Sequence, residues 1–72
     1  MKYIIAMYDR TRPDYIVGGS YIVQNEKYAA LTEDLKDAKR YSSYNRASAA
    51  LEKLLRSCVN ISGKCKIEEV EE

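Results

Sequence analysis

The 72-residue sequence predicts an α+β fold, a small antiparallel sheet of three to four strands with one principal helix on one face. Three observations carry that reading. Lys2–Tyr8 and Tyr15–Val23 are rich in Ile, Val and Tyr, the side chains that suit a pleated, half-buried surface. Ala47, Ala50, Leu51, Leu54, Leu55 and Cys58 recur at the i, i+3, i+4, i+7 spacing of an amphipathic helix. Lys64–Val70 then alternates through Cys65 and Ile67 as a last strand.

Each element has its own signals. Lys2–Tyr8 ends at Asp9-Arg10-Thr11-Arg12-Pro13-Asp14, a polar run with the single Pro, which reads as a loop. In the second strand Tyr15, Val17, Tyr21 and Val23 share one face and Ile16 and Ile22 the other. Gly18-Gly19 interrupts it, and one bent, bulged strand is preferred to a hairpin, which would leave only Tyr15–Val17 before the turn. Gln24-Asn25-Glu26-Lys27 reads as the next turn. Residues 28–43 admit two readings. Leu31, Leu35 and Ala38 with Thr32 before Glu33-Asp34 suggest a short helix from Thr32 to Asp37, capped by Thr32. The competing reading makes Ala38–Ser42 a strand. The main helix, residues 43–58, starts at Ser42 or Ser43 as N-cap, carries a Glu52–Arg56 pair on its outer face and stops by Val59, before Asn60-Ile61-Ser62-Gly63. The last strand belongs at an edge, where its lysines and glutamates discourage further pairing.

One helix covers one face of such a sheet. The first strand is nevertheless apolar on both faces, at Ile4 and Ala6 and at Tyr3, Ile5 and Met7. The second face must be closed by the short helix, by a second copy in a homodimer, or by a partner, and self-association is the favoured solution. A core this small supplies only about 3–5 kcal/mol, which also argues for association.

Formal net charge is +1, but residues 1–66 hold twelve Lys/Arg against seven Asp/Glu, and Glu68, Glu69, Glu71 and Glu72 crowd the last five positions. A basic body with an acidic tail suits an anionic partner, contact with its own tail, or a merely solvated terminus. The run MKYIIAMYD is too short for a signal peptide or a membrane span, so the expected compartment is the cytoplasm, with Cys58 and Cys65 reduced and no membrane partner.

The chemistry excludes most enzyme classes. Without histidine no Ser-His-Asp or Cys-His arrangement can form, and two cysteines alone cannot complete a four-ligand zinc site. Gly18-Gly19 and Gly63-Lys64 lack the spacing of nucleotide-binding loops. No cofactor and no catalytic residue is expected. Two clusters remain as binding candidates. Arg10 and Arg12 lie in the first loop between Tyr8 and Tyr15, where arginine beside tyrosine suits either phosphate-and-stacking contacts or a protein hot spot. Lys39 and Arg40, with Tyr41, precede the main helix, and Tyr44 and Arg46 open it. A cation in a first turn opposes the helix dipole unless an anion is nearby.

The segment "ALTEDLKDAKRYSSYNRASAALEKL", with its t-x-x-l-x-x-A-k-r-f/y-s-s lead into A-x-x-A-L-x-x-L, resembles small phage and prophage accessory proteins over residues 28–55. The resemblance implies a phage-encoded protein that binds and inhibits or modulates a host protein or nucleoprotein, as anti-CRISPR and other anti-defence inhibitors do. It transfers no functional residue. The expected role is therefore a non-enzymatic binding protein using Arg10, Arg12, Lys39, Arg40, Tyr44 and Arg46. A small nucleic-acid-binding regulator is the alternative, and a structural or assembly component of a phage particle is the third reading.

Overall fold

A computed structural model describes residues 1–8, 11–61 and 64–71. Four strands, β1 (Lys2–Met7), β2 (Asp14–Val23), β3 (Glu26–Thr32) and β4 (Cys65–Val70), form an antiparallel sheet in the order β3-β2-β1-β4. One helix, α1 (Tyr44–Ser57), packs on it, and a single 3-10 turn spans Leu35–Asp37. This is the expected α+β arrangement, with β4 at an edge.

The core forms where the strand and helix periodicities meet. Ile5, Ile16 and Ala29 cluster with Ala47 of α1, and with Cys58 and Ile61 just beyond it, while Tyr3, Leu31, Tyr41, Leu51, Leu54 and Ile67 pack around them. The fully buried Ile4, Ile5 and Ile16 each contribute about 1.5–3 kcal/mol by leaving water. Cys58 and Cys65 are not joined by a disulfide.

Pairing between β1 and β2 is short. Among the described residues only Ala6↔Tyr15 and Met7↔Asp14 face each other, after which the strands part. The chain between the 3-10 turn and α1 fills the gap. Lys39 N–H donates to the Ile16 carbonyl at 2.9 Å, and Tyr41 exchanges two backbone hydrogen bonds with Tyr3, at 2.8 and 2.9 Å. Extended backbone here is thus one bridge at Tyr41, not a strand over Ala38–Ser42.

Within residues 28–43 the short helix expected over Thr32–Asp37 is present only as the 3-10 turn at Leu35–Asp37. Glu26–Thr32 is a full strand, the connecting turn shrinks to Gln24-Asn25, and Asp34, not Thr32, caps the 3-10 turn by accepting from Lys36 N–H. Cross-strand pairing decides this. Leu31 faces Ile16 and Tyr28 faces Tyr21, contacts that outweigh a local i, i+4 coincidence. Thr32 accepts instead from Asp34 N–H, closing the bend after β3.

Gly18-Gly19 is a bulge within one continuous β2, as the residue pattern requires. Ile16 faces Leu31 and Ser20 faces Ala29, so Val17, Gly18 and Gly19 stand against Ala30 alone. The two extra residues preserve the alternation of faces, which keeps Ile22 on the helix side and Tyr21 and Val23 on the other. Gly18 holds φ at +95°, and a Cβ there would lie 2.6 Å from Lys39 Cδ. Only glycine suits both constraints.

Ile4 and Ala6 point away from α1 by strand alternation, yet both are completely buried within a single copy. Over β1 the second face is therefore closed by the chain itself. The connection through residues 33–38, which carries the chain from β3 to the β1–β2 gap, ends in the buried Ala38. What stays uncovered is farther out, where β2 and β3 continue as a two-stranded arm with Tyr21, Ile22 and Val23 exposed.

Candidate functional site

Of the six residues singled out in the sequence, the five that are described do not converge on one patch. Arg10 lies outside the described residues. Arg12 is exposed in the connection that follows Met7, at the end of β1 remote from Tyr3. The four-residue offset between Tyr3 and Met7 is about 13 Å of strand, so Arg12 is separated from the residues that gather around Tyr3.

Near Tyr3 the structure assigns different tasks to the remaining candidates. Arg40 turns back on the chain. Its Nη1 donates to the carbonyls of Leu35 and Ala38, both at 2.7 Å, and so ties off the 3-10 turn. Tyr44 is exposed and meets the Tyr3 ring edge-on at 6.2 Å between centroids. Arg46 is exposed, and its backbone N–H is taken by the Ser43 hydroxyl at 3.2 Å. Ser43 is thus the N-cap, and it satisfies an amide that an anion at this helix start would otherwise use.

Lys39 leads to the site that sequence reasoning missed. Its stem lies against Gly18 and its ammonium stands over the Tyr41 ring, 5.7 Å from the centroid. Gly18 and Tyr41 are also walls of an open cleft of about 210 Å³ between the bulge of β2 and the flank of α1. Gly18, Gly19 and Ser20 supply one wall, Ala50, Lys53, Leu54 and Ser57 of α1 the other, with Tyr41 and Lys27 completing the lining. The glycines matter here because missing side chains leave space that ordinary residues would fill.

Charge in the cleft is one-sided. Lys27 and Lys53 line it, Lys39 flanks it, and no carboxylate is among the lining residues. Neither Lys27 nor Lys53 forms an ion pair among the described residues. Burial pushes the Tyr41 hydroxyl above its ordinary pKa. Ser57 donates to the Lys53 carbonyl at 2.8 Å, and its oxygen stands 3.8 Å from the Cys58 sulfur.

No family model matches this chain, and no curated protein or solved structure shows detectable similarity to it.

The arm borders the cleft. Ile22, 71 % exposed, lies cross-strand from Lys27, and the exposed Val59 donates its amide to the Lys27 carbonyl. On the opposite face Tyr21 and Tyr28 stack on each other, with centroids 5.6 Å apart and planes 12° from parallel. Their ring faces are partly spent on one another. The outer edge of β3 is sealed by the Asn60 side chain, which accepts from Ala29 N–H at 2.8 Å and donates to the Ala29 carbonyl at 3.0 Å. Asn60 thereby imitates a neighbouring strand. No signal in the sequence beyond its role as a helix stop pointed to it.

Size bounds the chemistry. Pockets that enclose a cofactor or drug-sized ligand run to about 300–1,000 Å³ and bury most of it. An open depression of about 210 Å³ suits one side chain or a small anionic group.

Proposed function

We propose that this chain is a non-enzymatic domain that binds another protein through the β2–β3 arm and the surface beside it. The observation that supports this is the exposed apolar run Tyr21-Ile22-Val23 on a two-stranded arm that contributes little to the core. Apolar residues held clear of a small body leave surface that a partner can dehydrate. Under the resemblance to phage accessory proteins, the particular form of this role is an inhibitor or modulator of a host protein or nucleoprotein.

Affinity capture from nuclease-treated bacterial lysate tests the reading. Wild type should retain one stoichiometric protein at moderate salt, and Ile22→Asp, with its circular dichroism unchanged, should lose it. Retention by Ile22→Asp but not by Arg10→Glu with Arg12→Glu would transfer the contact to the first loop.

A nucleic-acid-binding regulator is the second reading, favoured by the gathering of Lys27, Lys39 and Lys53 around one cleft. Its signature is affinity that falls steeply with salt through counterion release. Capture abolished by nuclease would select it.

A further inference from the structure

The cleft between the β2 bulge and α1 has features that specify what enters it, on the reading that the partner is a protein. We infer that it receives the carboxylate side chain of an acidic segment on that partner, with an apolar neighbour of that side chain resting on Ile22 and Val59. Two lysines without carboxylate partners among the described residues line the walls, and no acid is among the lining residues, so the cleft's charge favours an entering carboxylate. The Gly18-Gly19 wall lets a short side chain approach backbone closely.

Three properties favour an acidic peptide over a phosphate chain. The cleft is a single depression and not a track that could follow successive phosphates. The aromatic pair best placed on the arm, Tyr21 and Tyr28, stacks on itself and faces away from the cleft, so it offers bases no platform there. The apolar Ile22 and Val59 stand beside Lys27, and the third cation near the cleft, Lys39, is already held over the Tyr41 ring.

Amide chemical-shift titration of the whole labelled chain tests this, with three probes: a blocked Glu-Leu-Glu-Glu tetrapeptide, inorganic phosphate and an oligothymidylate. The tetrapeptide should shift the amides of Gly18, Gly19, Ser20, Tyr41 and Ser57, with little change along β4. Lys27→Glu with Lys53→Glu, both at exposed positions, should weaken it by about tenfold or more while the spectrum stays dispersed. Lys36→Glu with Lys66→Glu makes the same change in net charge away from the cleft and should leave peptide binding close to wild type. Equal weakening by both pairs, tighter binding of phosphate or oligothymidylate at the same amides, or no shift with millimolar tetrapeptide would overturn the proposal. Protein capture that survives Lys27→Glu with Lys53→Glu but not Ile22→Asp would overturn the cleft's role alone and leave the arm's intact.

Discussion

At the scale of single residues, several side chains do something other than what their type suggests. Arg40, placed in a run that reads as a grip for a partner, spends one guanidinium nitrogen on two carbonyls of its own 3-10 turn. Gly18 combines a left-handed backbone with contact against Lys39, so Gly18→Ala should destabilise the domain by about 1–3 kcal/mol, read as a lower urea midpoint. Tyr8 lies on the surface, where its hydroxyl donates to the Glu68 carboxylate and Lys66 stands over its ring. The hydrogen bond to Glu68, chiefly, pushes the Tyr8 pKa up to about 12. A raised tyrosine pKa means that the folded state favours the protonated form. The contribution is therefore complete below the ordinary value of about 10 and is lost as pH rises through about 12. Absorbance titration of phenolate should show a late-titrating tyrosine that disappears in Tyr8→Phe and moves to lower pH in Glu68→Gln. An unchanged late step in both variants would assign it elsewhere.

At the scale of elements, the arm and its edge are the informative parts. Gln24 and Asn25 hold φ at 51° and 67°, the signature of a two-residue turn whose twist suits a hairpin. Gln24 gains nothing from that conformation, whereas asparagine and glycine tolerate it. Gln24→Asn with Asn25→Gly should stabilise the arm by about 0.5–1 kcal/mol, measured as slower hydrogen exchange at Tyr21 and Tyr28. Asn60 does the work of a strand on the outer edge of β3. Asn60→Ala leaves the Ala29 N–H and carbonyl without these partners, which should cost about 1–3 kcal/mol in thermal or urea unfolding. It also uncovers a sheet edge, so the variant should aggregate at concentrations where wild type stays clear.

At the scale of the whole molecule, the question raised by two apolar faces on β1 has an internal answer. Ile4, Ile5, Ala6 and Met7 are all buried in one copy, so a second chain is not needed to cover them. The melting temperature should then stay constant across roughly a hundredfold dilution, whereas an obligate homodimer would melt lower as it is diluted. A concentration-dependent melting temperature would restore self-association as a condition of folding. Association that remains would involve the arm, whose apolar residues lie outside the core. The basic character of the body also resolves into places: Arg12 at one end of β1, and Lys27, Lys39 and Lys53 around the cleft near the other.

What the sequence by itself determined is whatever depends on short-range periodicity and local chemistry. The i, i+3, i+4 stripe specified α1, a serine specified its start, β-branched runs specified β1 and β2, and alternation through Cys65 and Ile67 specified β4. Gly18-Gly19 read as a bulge and not a hairpin turn because a turn there would leave only Tyr15–Val17 before it. Tertiary structure decided what depends on residues distant in the chain. Thr32 ends a strand instead of capping a helix because Leu31 and Tyr28 find partners on β2. Tyr41 bridges Tyr3 because β1 and β2 part just there, and Asn60 is a sealing residue because Ala29 happens to lie within its reach. The cleft likewise assembles β2, β3, α1 and the chain before α1, with Lys27 and Lys53 far apart in sequence. No local pattern encodes such a site, because the contacts that create it are paid for by long-range pairing and appear only once the sheet has closed against the helix.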